Sequence, residues 1–120
     1  MIKNKDERKY REVMLDAIAG LITEETGFAT TQRKPFADGC HVYGALTEEW
    51  KESNVHIKTL ETLVDEFSEN CLSGDMPSDI EAKEHLDAII FHCKKLIMEI
   101  TQVAAVSAKA GLTLGDWINE

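Results

Sequence analysis

LTEEWKESNVHIKTLETLVDEFSENC, residues 46–71, decides the fold. Leu46, Trp50, Ser53, Ile57, Leu60, Val64, Phe67 and Cys71 recur at alternating steps of four and three. A helix turns about 100° per residue, so these side chains share one face. The helix is expected from about 39 to 72, which makes it roughly 45–50 Å long. Ser53-Asn54-Val55 is its weakest helix-forming stretch, and a bend or break is expected there. Ser73-Gly74 stops it, in a turn that runs on through Asp75-Met76-Pro77. Ser78-x-x-Glu81 then forms a capping box that opens a helix of about 78–110. Its stripe is Leu86, Ile89, Ile90, Cys93, Ile97, Ile100, Ala104 and Ser107, ending at Gly111. Two such helices on either side of a short turn make a long antiparallel hairpin.

The flanks complete an all-α reading. Tyr10, Val13, Met14, Ala17, Ile18, Leu21 and Ile22 mark an amphipathic first helix of about 5–26. Asn4-x-x-Glu7 caps its start, and Gly27 is expected to end it in the left-handed conformation. Residues 27–38 lack periodicity and read as a loop. Thr113 is expected to cap a short tail helix of about 114–119, whose Leu114, Trp117 and Ile118 pack back on the body. No segment alternates with period two and no internal repeat is visible, so residues 1–120 read as a single all-α domain. Three helices of unequal length leave one side of the hairpin uncovered, and a homodimer or higher homo-oligomer completing a larger bundle is expected.

Charge narrows the function classes. The 120 residues carry 22 acidic against 13 basic side chains, a formal net charge of −9. Such a surface repels phosphate backbones, so no nucleic-acid partner is expected, although a nucleotide screened by divalent cations is compatible with it. No apolar run is long enough to span a bilayer and no signal-peptide core stands near the N-terminus, so no membrane partner is expected. Cys40, Cys71 and Cys93 are odd in number and lack CxxC spacing. They read as reduced thiols in a cytoplasmic protein, used mainly as buried packing.

The hairpin also predicts a site. With the turn centred near position 75.5, facing residues have numbers that add to about 151. Glu52 then faces Glu99, and Glu49 faces Gln102, with Glu48 one step more exposed. His56 lies on the same flank one turn beyond Glu52, and Glu99 shares its flank with His92 and His85. Carboxylates held this close repel one another unless protons or a cation intervene, and a hard cation such as Mg²⁺ takes oxygen ligands of this kind. The plain alternative is a solvated face, with Glu48 to Glu52 paired to Lys51 or to Lys94 and Lys95. His85 and His92 are about 10 Å apart along the helix, too far to share one ion, and read as packing or surface groups. Arg33 and Lys34, in the loop, are weak candidates for phosphate contact.

Glu48-Glu49-Trp50-Lys51-Glu52 has the EExxE form of the MazG-like all-α nucleoside triphosphate pyrophosphohydrolases. His41-Val42-Tyr43-Gly44-Ala45-Leu46-Thr47-Glu48-Glu49 resembles the "HEAYGxLxEE" opening of short phage and prophage proteins grouped with them. Glu99-Ile100-Thr101-Gln102-Val103-Ala104-Ala105 resembles their "EAIQVAAMA" segment, so the likeness covers most of residues 36–110. The resemblance implies cleavage of a nucleoside triphosphate to the monophosphate and pyrophosphate. It implies Mg²⁺, or Mn²⁺, held by Glu48, Glu49, Glu52 and Glu99, with Glu49 and Glu52 catalytic. Gln102 would touch substrate. Two departures stand out. Gln102 occupies the place of the aspartate in the family's ExxD motif, and an amide is a weaker ligand that cannot act as a base. Also, 46 residues separate Glu52 from Glu99, more than is usual in that family.

Overall fold

The computed structural model describes residues 5–32, 35–74 and 78–119. The Asn4 cap, the Arg33-Lys34 pair and the Asp75-Met76-Pro77 part of the turn lie outside them. Among the described residues the chain is all-helical: α1 spans Lys5–Gln32, α2 Gly39–Ser73 and α3 Asp79–Ile118. It divides into two compact units, Met1–Leu46 with Thr101–Glu120, and Thr47–Ile100.

Each helix is more continuous than its sequence suggests. α1 passes through Gly27 to Gln32. Thr23, Thr26, Thr30 and Thr31 each donate a hydroxyl to the carbonyl four residues back, at 2.7–3.0 Å. Side chains that compete with a helix elsewhere are thus accommodated inside this one. α2 does not break at Ser53, whose hydroxyl donates to the Glu49 carbonyl at 3.1 Å. α3 runs through Gly111 and absorbs the expected tail helix. A single glycine costs a helix only about 1 kcal/mol, and Thr113 bonds back to the Lys109 carbonyl rather than capping a new turn. Gly74 does act as a stop. Its φ of 79° is the left-handed value that ends a helix, and only glycine adopts it freely.

α2 begins with a cap that has a histidine in the usual glutamate role. Asp38 Oδ1 accepts the His41 backbone N–H at 2.8 Å, and His41 Nδ1 accepts the Ala37 N–H at 3.1 Å. This is a reciprocal capping box. The His41 ring meets the edge of Phe36, 5.1 Å between centroids and 87° between planes. Phe36 in turn joins Val106 and Ala110 in the core of the first unit, with Val42, Ala45 and Leu46 packed against them. Lys109, itself buried, holds its ammonium 4.6 Å from the centre of the Phe36 ring.

The second unit pairs α2 with α3, and its contacts obey the expected register. The His85 Nε2–H donates to the Leu63 carbonyl, its ring lies 5.4 Å from Phe67, and the rings of His56 and His92 are 6.0 Å apart. Ser53 is fully buried, whereas Trp50, Val64, Leu86 and Ile97 of the apolar stripes are exposed.

Other expectations of burial fail. On α3 the buried face is Ala105, Val106, Lys109 and Ala110, while Ser107 is exposed. A stripe stepped by seven residues drifts about 20° per repeat around a 3.6-residue helix, so its C-terminal members rotate off the buried face. Leu114 and Ile118 are exposed rather than packed, and so are all three cysteines. The α1 stripe is present but uncovered: Tyr10, Val13, Met14, Ile18 and Leu21 are all exposed.

Asp38→Ala is expected to lower stability by about 1 kcal/mol, the usual worth of such a cap. The urea midpoint should fall with an unchanged slope. An unmoved midpoint would show that the cap is not holding the start of α2.

Candidate functional site

Glu49 and Glu52 stand one helical turn apart on α2, and Glu99 comes to them from α3. Each of the three offers a carboxylate oxygen, and these atoms all lie within 4.8 Å of one another. Glu49 and Glu99 are half-buried and Glu52 is exposed. Ser53, next in sequence to Glu52, has no exposed surface, so the cluster stands at the edge of packed structure rather than on a free helix face.

The electrostatics follow from that placement. Burial raises the pKa of Glu99 above the ordinary glutamate value, and the negative charge of Glu52 and a side-chain hydrogen bond with Glu52 raise it further. A hydrogen bond between two carboxyl groups requires a proton on one of them, which is why this contact favours the protonated form of Glu99. His56 and Lys95 act in the opposite direction and favour the Glu99 carboxylate. Lys95 is also held over the Phe91 ring, 5.5 Å from its centre.

Not every predicted residue joins the cluster. Glu48 is exposed and is not part of it. Gln102 is half-buried on α3; as an amide it is not among the acidic, histidine and cysteine groups that define the cluster. Arg33 and Lys34 lie outside the described residues. His85 is a packing group, as its bond to Leu63 and contact with Phe67 show. His92 is more singular, because its Nδ1 is buried without a hydrogen-bond partner while the ring packs edge-on against Phe91 at 5.3 Å. The sequence places His92 on the flank of Glu99, but an orphaned nitrogen cannot be read from spacing.

The donor set suits a hard divalent cation. It is all oxygen, carries like charge, and is partly open to solvent where water or phosphate oxygens complete the coordination. It does not suit a soft metal, which prefers thiolate or imidazole. No protein-family model, curated protein or solved structure matches this chain.

Because the folded state raises the pKa of Glu99, it binds that proton more tightly than the unfolded chain does. Its stabilising effect is complete below the unfolded glutamate pKa and is lost as pH rises through the raised folded value. A carboxyl-carbon NMR titration should find Glu99 above the ordinary range. Glu52→Gln should bring it part of the way back, the burial contribution remaining. An ordinary titration of Glu99 in the wild type would contradict its burial beside Glu52.

Proposed function

We propose that the chain is a Mg²⁺-dependent nucleoside triphosphate pyrophosphohydrolase, of the phage and prophage type that its EExxE segment resembles. The observation that carries this reading is the convergence of Glu49, Glu52 and Glu99 within 4.8 Å. Mn²⁺ is an acceptable substitute on the same oxygen donors. Glu49, Glu52 and Glu99 would hold the cation, which when bound supplies neutralisation of the triphosphate charge. The remaining chemistry belongs to the side chains. A carboxylate, Glu49 or Glu52, orients a water and takes its proton. The water oxygen bonds to the α-phosphorus, the bond from that phosphorus to the bridging oxygen breaks, and pyrophosphate leaves. A second copy of the chain is the expected protein partner, because the α1 stripe is exposed.

Gln102 favours a second reading. With an amide where the resembled family has a carboxylate, the chain binds nucleotide or metal without turnover, or serves as a helical interaction protein.

Pyrophosphate release from a panel of nucleoside triphosphates, with Mg²⁺ and then Mn²⁺, distinguishes the two. The enzyme reading expects release that falls by roughly 10²–10⁴-fold in Glu52→Gln, the scale of a lost general base. No release from any substrate, with nucleotide binding retained, would establish the second reading instead. Gln102→Glu should then be the first variant tested for a gain of turnover.

A further inference from the structure

The exposed face of α1 and a groove on the α2–α3 pair are complementary. Tyr10 and Val13 are about three-fifths exposed, Met14 and Leu21 nearly half, and Ile18 38%. These residues form one continuous stripe over the N-terminal half of α1. Lys9 and Arg11 lie one on either side of Tyr10, about 100° round the helix. In the other unit, Ile57, Leu60, Val64 and Leu96 line an open groove of about 360 Å³ with Glu61 and Asp65 on its rim. Charge is segregated in the same sense. Residues 1–11 hold five of the thirteen lysines and arginines against Asp6 and Glu7, a net positive stretch, whereas residues 61–75 hold five carboxylates and no lysine or arginine. Arg11 is ion-paired to Glu7 at 3.3 Å on an exposed face, where such a pair is worth little and is open to exchange.

We propose that the N-terminal half of α1 from a second copy of this chain seats its Tyr10–Met14 stripe in the Ile57–Leu60–Val64–Leu96 groove, with Lys9 and Arg11 meeting Glu61 and Asp65. The interface is isologous, so the exchange is mutual: each copy donates α1 and receives its partner's. Apolar burial supplies the affinity, and the rim charges set orientation and suppress a groove-to-groove encounter between two acidic surfaces. The proposal rests on the second-copy partner named above and not on the nucleotide chemistry, so inactivity toward nucleotides leaves it standing.

The test uses the full chain in sedimentation velocity, with circular dichroism to confirm that each variant is folded. Wild type is expected to be dimeric. Lys9→Glu with Arg11→Glu, and separately Glu61→Lys with Asp65→Lys, are each expected to weaken the dimer by roughly tenfold, and combining all four should restore it. Native cysteines are then replaced, and Met14→Cys on a tagged chain is mixed with Val64→Cys on an untagged one. Oxidation should yield a cross-linked pair of unequal chains. A monomeric wild type overturns the proposal, as does a dimer indifferent to both charge reversals. A Met14→Cys, Val64→Cys double variant that cross-links only within one chain overturns it too, by showing that the groove takes its own α1.

Discussion

The burial of Glu99 beside the like-charged Glu52 is the constraint on which the site in the second unit depends, because burial first and the Glu52 charge second disfavour the Glu99 carboxylate. The antiparallel pairing of α2 and α3 nevertheless brings them together, and neighbouring contacts hold that register. His85 is bonded to the Leu63 carbonyl and rests on Phe67, and His56 faces His92. A shift by one residue would turn a helix by about 100° and carry one carboxylate out of the cluster. The fold therefore holds like-charged groups close together, an arrangement that a proton on Glu99 relieves.

That pairing was legible in the sequence because it needed only a turn position and two periodic stripes. Glu52 and Glu99 stand equidistant from position 75.5, and the helices keep that equality over many residues. The start of α2 near Asp38 was legible for a similar reason, since an aspartate ahead of a periodic run is a local signal. The part His41 plays in the cap was not, because a histidine at that position has no established capping pattern.

Where the sequence misled, a local signal was outweighed or a distant one was missing. Gly27 and Gly111 read as stops, yet each costs a helix little, and the threonines around Gly27 reinforce the helix with their hydroxyls. Lys109, on which the periodicity is silent, is buried with its ammonium over the Phe36 ring. Periodicity marks an apolar stripe on α1 that the structure leaves exposed, and a stripe records the need for a partner and not its identity. Adjacent helical residues point about 100° apart, and among the described residues the acidic cluster takes in Glu49, Glu52 and Glu99 and leaves Glu48 exposed outside it.

The account turns on whether the three carboxylates take up a divalent cation. Thermal unfolding at neutral pH, with and without millimolar Mg²⁺, tests this most directly, with Glu99→Gln measured beside the wild type. A cation bound only by the folded state raises the unfolding temperature of the wild type in proportion to its occupancy. Glu99→Gln should begin above the metal-free wild type, relieved of repulsion, and gain nothing from Mg²⁺. A wild type indifferent to Mg²⁺, or a variant that gains as much as the wild type, would contradict a shared cation site.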